Sequence, residues 1–173
     1  MPHVTDEIRK LIGRSTKPLP AYHPVEASEV RRFHHATMDP APRYMNAEWA
    51  AKSRYGGLVA PPAYPTVAHR RTPDGADPLD SMGKPDFDGL QRELRPGLPA
   101  VEVSLPRLLN GGYEYEFFRY ALQGERVVCT STYRDIHEKE SKNGAMVFIL
   151  IEDMYTTEKG EPLVRVVNTT ILR

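Results

Sequence analysis

Apolar and polar positions alternate with a period of two residues along the second half of the chain, which is the pattern of half-buried strands. The alternation runs through residues 113–120 and returns over 127–136, 145–155 and 163–172. Gln123-Gly124, Asn143-Gly144 and Lys159-Gly160 separate these runs with residues typical of turns. The pattern predicts a four-stranded antiparallel meander, with Gly111-Gly112 permitting a close turn into its first strand.

Helical spacing dominates the first third of the chain. Thr5 is a predicted cap for a short helix that ends at Gly13, and apolar positions then recur at helical spacing from Val30 until Asp39-Pro40. Asn46 is the predicted cap of another helix over 47–54, which Gly56-Gly57 would end. Helices followed by a long-stranded antiparallel sheet indicate an α+β fold.

The segment from about 71 to 97 is the one long stretch without periodic apolar positions. Proline, glycine and aspartate are frequent in it, which indicates an irregular flap and not a domain boundary. A chain of 173 residues is long enough to bury a core of its own. We therefore predict a single domain over residues 1–173.

The charge balance, the cysteine count and the lengths of the apolar runs each argue against a class of function. Lysine and arginine together number 23, as do aspartate and glutamate, so no excess positive charge favours nucleic acid. The single Cys129 cannot form an internal disulfide, and the first residues lack the pattern of a signal peptide. The longest apolar run, 146–151, falls far short of the ~20 residues of a membrane helix. We expect a cytoplasmic protein that binds neither membranes nor nucleic acid.

The loop after the second predicted helix carries the most specific signal. Residues 33–46 read Phe-His-His-Ala-Thr-Met-Asp-Pro-Ala-Pro-Arg-Tyr-Met-Asn, and 55–60 read Tyr-Gly-Gly-Leu-Val-Ala. This resembles the hydratase motif of MaoC-like proteins, an aromatic residue followed by Ala-Thr-Gly-Asp-x-Asn-Pro-x-His-x-Asp. Residues 109–117 and 123–125 also resemble the N-terminal, FAS1-like dehydratase domains. The resemblance implies a hotdog fold, in which an antiparallel sheet wraps around a central helix.

The resemblance also shows where the motif is incomplete. Asp39 stands at the position of the family's catalytic Asp, but Tyr44 stands where the family has His and Ala41 where it has Asn. Pro62 replaces a glycine whose backbone N–H polarises the thioester oxygen in catalytic members, and proline has no N–H. Asp39 and Tyr44 are therefore candidate catalytic residues of a half-lost site.

Ala60-Pro61-Pro62 resembles the substrate-binding subunits of heterodimeric (3R)-hydroxyacyl-thioester dehydratases. That implies an acyl thioester of coenzyme A or acyl carrier protein as the substrate, no further cofactor, and a second hotdog subunit as the partner in a hetero- or homodimer. Arg70 and Arg71 are candidates for contacting the phosphates of the carrier. The candidate substrate-binding residues are Tyr55, Gly56, Gly57, Leu58, Val59, Ala60, Pro61, Pro62, Ala63, Tyr64 and Val67.

Each of these residues also fits a plainer role. Asp39 before Pro40 suits a turn, Tyr44 suits a half-buried aromatic, and the arginine pair suits a helix end. Adjacent His34 and His35 face different ways on a helix, so we predict no metal site. Three functions remain open: a catalytically degenerate subunit of an enoyl-thioester hydratase or 3-hydroxyacyl-thioester dehydratase, a catalytic homodimer using Asp39 and Tyr44, and a non-enzymatic acyl-thioester-binding protein.

Overall fold

An antiparallel sheet with short helices packed on its inner face makes up the structure. The computed structural model describes residues 2–68, 79–87, 93–142 and 144–173. The helices in these ranges are α1 (Asp6–Arg9), α2 (Ala27–Ala36), α3 (Ala47–Lys52), α4 (Pro65–Ala68) and α5 (Leu79–Met82), with a 3-10 turn at Pro42–Tyr44. The strands are β1 (Leu19–Pro20), β2 (Leu108–Phe117), β3 (Val127–Ser141), β4 (Gly144–Thr157) and β5 (Pro162–Leu172).

The strand order is β1-β3-β4-β5-β2, with antiparallel neighbours throughout. β3, β4 and β5 form the predicted meander, but the prediction was wrong for the first long strand, because β2 pairs with β5 and not with β3. The cause lies just beyond β2, where Phe118 N and Arg119 N both donate to Leu163 O and the chain turns away. The chain then crosses the end of the sheet, where Ala121 O accepts from Ala60 N at 2.8 Å, before β3 begins.

β2 begins earlier than predicted, so Gly111-Gly112 lies inside the strand and not in a turn before it. The register against β5 shifts between Asn110 and Gly112, which marks a β-bulge. A Cβ at Gly111 would lie 2.8 Å from Thr169 Cγ2 and 3.0 Å from Thr169 O, so the bulge brings the two backbones too close for any side chain.

The predicted helix caps are confirmed, but both helices end earlier than predicted. Thr5 accepts a hydrogen bond from Ile8 N, and Asn46 accepts one from Trp49 N at 2.9 Å. α3 ends at Lys52 because Ser53 is extended and its hydroxyl donates to Ala50 O at 2.7 Å. The helix termini are therefore set by short polar side chains, as the sequence indicates.

The inner face of the sheet is buried, whereas the outer face is charged and exposed to solvent. Alternate residues of β3, from Val127 to Tyr133, are buried on the inner face. On the outer face, ion pairs join neighbouring strands: Arg165 lies 2.7 Å from Glu116 and 3.6 Å from Glu152. Tyr64 and Ala68, at α4, pack into the inner apolar cluster, so the helical side of the domain covers the inner face.

Part of the predicted architecture falls outside the described residues. The predicted central helix is described only over Pro65–Ala68, since residues 69–78 lie outside the described ranges, and the flap predicted over 71–97 is described only at 79–87 and from 93 onwards. Within the described ranges, no helix is long and apolar enough to span a bilayer.

Candidate functional site

The motif loop is held by hydrogen bonds between its own residues. Nδ1 of His34 donates to Asp39 O at 3.2 Å, and Asp39 N donates to His34 O at 3.0 Å. The Asp39 carboxylate accepts from Ala41 N at 3.1 Å, which leads the chain into the 3-10 turn. Asp39 therefore acts as a turn residue with one carboxylate oxygen, and this contact leaves the other oxygen available.

Met38 occupies the position of the motif's glycine and keeps the glycine-like backbone. Its φ is +54°, the one positive φ of a non-glycine residue in the described ranges. A left-handed backbone strains a side chain with a Cβ, and the Met38 side chain is 86% exposed, so packing does not repay that strain. The loop thus retains the backbone path that the motif's glycine would favour.

Tyr44 is buried beside Asp39, as the motif alignment requires. The side chain is 3% exposed, and its hydroxyl has no well-aligned hydrogen bond among the described residues. Burial raises the pKa of Tyr44, and the nearby Asp39 carboxylate raises it further. Arg43 lowers this pKa, but the two raising effects are larger. At neutral pH the hydroxyl therefore stays protonated and can donate a hydrogen bond.

Arg43 is a site residue that the sequence reasoning missed. Its guanidinium lies 5.1 Å from the centre of the Tyr44 ring and 5.5 Å from that of Tyr120, within the range of cation–π attraction. The adjacent Tyr44 hydroxyl is the main reason why the pKa of Arg43 lies above its usual value. Because Tyr120 is 77 positions along the chain from Arg43, no local pattern could have indicated this contact.

The segment that follows α3 is fastened to the residues between β2 and β3. Val59 forms an isolated bridge with Leu122, and Gln123 N donates to Leu58 O at 2.9 Å. Val59 N also donates to Arg43 O at 3.1 Å. This segment therefore links the motif loop to the end of the sheet.

A cavity of about 840 Å³ opens beside this segment; we call it the outer cavity. Of the predicted substrate-binding residues, Tyr55, Val59 and Pro62 line it. Phe117, Tyr120 and Leu122 supply further apolar wall. The structure thus brings one part of the predicted set together around a space of ligand size.

The other predicted substrate-binding residues lie elsewhere. Ala60 and Tyr64 are buried in the core, and Phe33 packs edge-on against Tyr64 with ring centres 5.8 Å apart. Val67 is exposed on α4. The remaining ones, which do not line the outer cavity, are Gly56, Gly57, Leu58, Pro61 and Ala63. Arg70 and Arg71 lie outside the described residues.

Charged residues surround the mouth of the outer cavity. Arg119 is held by Glu125 at 2.7 Å and by Glu161 at 2.5 Å. Burial disfavours the charged form of Glu125, but Arg119 outweighs this and lowers the pKa of Glu125 below its usual value. Arg54 and Lys159 also line the cavity, and both are exposed. These two cations can therefore reach an anionic group at the mouth.

The sequence of this chain matches a known protein family over most of its length. The family model described as FAS1-like, dehydratase domain region matches residues 10–166. A UPF0336 protein from Thermobifida fusca is 23% identical over 165 residues, which make up 95% of this chain and 93% of that protein.

Solved structures show the fold. The ChsH1-ChsH2 complex from Mycobacterium tuberculosis aligns with a TM-score of 0.68 and 21% identity, covering 96% of this chain and 91% of that one. The C-terminally truncated HadBC (3R-hydroxyacyl-ACP dehydratase) complex from the same organism aligns with a TM-score of 0.62 and 19% identity, covering 93% and 96%. A MaoC-like dehydratase and an (R)-hydratase share this architecture. The predicted hotdog fold is confirmed.

Proposed function

The chain belongs to the FAS1-like dehydratase domain family, and we propose that it is the substrate-binding half of an enoyl-thioester hydratase or 3-hydroxyacyl-thioester dehydratase. It holds the acyl thioester, while a partner hotdog subunit with an intact motif supplies the reacting Asp and His. The observation that carries this proposal is the buried, protonated Tyr44 at the motif's histidine position.

Reversible hydration of an α,β double bond needs a group that exchanges a proton near neutral pH. An ordinary tyrosine has a pKa of about 10, and burial raises the pKa of Tyr44 above its usual value. Pro62 adds a second defect, because it cannot donate the N–H that polarises the thioester oxygen in catalytic relatives. Loss of one such donor costs about 3–4 kcal/mol of transition-state stabilisation in other enzymes.

The features needed for binding are present. The outer cavity has aromatic walls, which suit an acyl chain, and its mouth carries Arg54 and Lys159. These two cations would meet the phosphate groups of coenzyme A or of a carrier's pantetheine. The predicted phosphate contacts Arg70 and Arg71 lie outside the described residues. The lost features thus concern proton transfer and thioester polarisation, and the retained ones concern recognition.

The free edge of β2 supports a hotdog partner. β2 pairs with β5 on one side, and no described strand lies on its other side. Tyr113, Tyr115 and Phe117 on this strand are 52%, 44% and 49% exposed. A long apolar edge strand pairs readily with a second strand, and both aligned Mycobacterium tuberculosis structures are complexes. We place the partner at this edge.

One observation favours a second candidate, a catalytic homodimer. The Asp39 carboxylate lies close enough to the Tyr44 hydroxyl to raise its pKa, so the two groups share one site. With Asp39 as base and Tyr44 holding the water or the thioester, such a dimer would turn over substrate without a partner.

Hydration of crotonyl-CoA by the purified chain, followed through the absorbance of the conjugated thioester, separates the two candidates. We expect calorimetry to detect binding of butyryl-CoA and the hydration assay to detect no turnover by wild type or Asp39→Asn. Asp135→Asn is the matched control, because this carboxylate pairs with His137 at 2.7 Å away from the cavity. Turnover in wild type and Asp135→Asn that is absent in Asp39→Asn would refute the degenerate subunit and support the homodimer.

A further inference from the structure

A second cavity, of about 420 Å³, lies on the inner face of the sheet; we call it the inner cavity. Thr66 at α4, Tyr115 on β2 and Val166 on β5 are among the residues that line it. None of the motif residues contributes to it. It is therefore separate from the Asp39–Tyr44 site, although it shares one strand with the outer cavity.

Aromatic rings on β2 line both cavities. Phe117 lines the outer cavity, while Tyr115 and Tyr113 line the inner one. The rings of Phe117 and Tyr115 are stacked with centres 5.7 Å apart, and those of Tyr115 and Tyr113 are 6.2 Å apart. Four residues of a strand cover roughly 13 Å, so the β2 residues that line the two cavities lie within the length of an extended acyl chain.

A buried ion pair lines the inner cavity. Nε of Arg95 donates to both oxygens of Asp153, at 3.0 and 2.9 Å, and the Ser131 hydroxyl donates to Asp153 Oδ1 at 2.6 Å. The Asp153 side chain is 3% exposed, whereas that of Arg95 is 25% exposed. The carboxylate is thus fully engaged, and the pair has no net charge.

Tyr155 places a further hydroxyl in the inner cavity. Its polar neighbours are the Cys129 thiol, Asp153 and Arg95. Burial is the main reason why the pKa of Tyr155 lies far above its usual value, so the hydroxyl stays protonated. Among the described residues its hydrogen-bonding neighbour is the Cys129 thiol, which is a weak partner.

We propose that the inner cavity receives the far end of the acyl group, and that this end carries a neutral hydrogen-bonding group, a hydroxyl or a ketone. This inference rests on the proposed function and adds its substrate class. A wholly apolar end would lie against the Tyr155 hydroxyl without offering it an acceptor. A terminal carboxylate would add a buried negative charge to a pair that is already neutral, which is costly.

The test compares the affinity of the purified chain for matched acyl-CoAs by calorimetry. The probes are octanoyl-, decanoyl- and dodecanoyl-CoA, each against its ω-hydroxy and ω-carboxy analogue. At the chain length that reaches the cavity, we expect the hydroxylated ligand to bind roughly 3- to 10-fold more tightly than the plain one, and the carboxylated ligand to bind least tightly. Tyr155→Phe should bring the ratio of hydroxylated to plain affinity towards one. Tyr133→Phe is the control, because the Tyr133 hydroxyl donates to Pro99 O at 2.7 Å and does not line the cavity.

The possible failures are distinguishable. If the plain acyl-CoA binds as tightly as its hydroxylated analogue at all three lengths, or the carboxylated one binds most tightly, the substrate class is wrong and the proposed function stands. If no acyl-CoA binds, the proposed function itself is refuted. A hydroxyl preference that survives Tyr155→Phe but is lost in Tyr133→Phe would also overturn the assignment to the inner cavity.

Discussion

Replacing Arg95 by methionine should destabilise the domain more than any single change to its surface charges. Methionine keeps an unbranched apolar stem of similar length, so the main loss is the charge. Asp153 would then keep Ser131 as its remaining hydrogen-bond donor while staying buried, with 3% of its side chain exposed. The perturbation therefore leaves a carboxylate in the sheet interior without its counter-charge.

The expected size follows from the unequal burial of the two partners. Breaking a buried ion pair from one side costs about 3–5 kcal/mol, and Arg95→Met should fall in this range. Asp153→Asn should cost less, about 1–3 kcal/mol, because 25% of the Arg95 side chain is exposed and its charge keeps some contact with water. The double variant should be more stable than Arg95→Met alone, since it buries no unpaired charge.

Urea unfolding followed by circular dichroism, at one protein concentration, gives these free energies by linear extrapolation. Arg134→Met is the control, because its 3.9 Å pair with Glu152 joins side chains that are 49% and 29% exposed, and such pairs contribute at most about 1 kcal/mol. A loss below about 1 kcal/mol in Arg95→Met, or a larger loss in Asp153→Asn, would refute the reasoning.

Three further predictions concern separate features. Met38→Gly should raise the free energy of unfolding by roughly 0.5–1 kcal/mol, measured by urea unfolding, because it relieves the left-handed backbone at φ +54°. Burial raises the pKa of the Cys129 thiol from 9.0 to about 11, so the unfolded chain loses this proton first and stability should fall as pH rises through that window. Between pH 9 and 11, the free energy of unfolding of Cys129→Ala should fall by roughly 2–3 kcal/mol less than that of wild type, measured by urea unfolding at both pH values. Equal falls in the two proteins would show that the Cys129 thiol does not cause this pH dependence. We expect the isolated chain to pair with a second copy of itself through the free edge of β2, so Tyr115→Lys should shift it from dimer towards monomer in analytical ultracentrifugation, while Glu114→Lys on the opposite face of β2 should not.

The sequence was most informative where structure depends on neighbouring residues. The period-two runs predict β3, β4 and β5 because burial on one face of a strand imposes that period. Thr5 and Asn46 predict helix starts because a cap bonds only two or three residues ahead. The family resemblance added what periodicity could not. It predicted the hotdog fold, and it singled out Asp39 and Tyr44 as two residues of one site.

Contacts between distant residues were not predictable in this way. β2 pairs with β5 because of how the chain leaves the sheet after Phe117, which no local pattern specifies. Arg95 and Asp153 are 58 residues apart, and Arg95 lies in the segment that was predicted to be irregular. The aromatic alternation at Tyr113, Tyr115 and Phe117 was visible, but the sequence did not show that these rings would line two cavities.

The motif loop keeps its shape although Tyr44 stands where the family has His, and the contacts of the loop explain this. Asp39 accepts from Ala41 N, and Tyr44 stacks on His34 with ring centres 5.9 Å apart, so the loop is stabilised from within. Arg43 O in turn accepts from Val59 N, which fixes a wall of the outer cavity. Under the proposed function, this loop would shape the space in which the acyl group lies without itself transferring protons. Substitutions that loosen it should weaken acyl-CoA binding even though none of them removes a group that contacts the thioester.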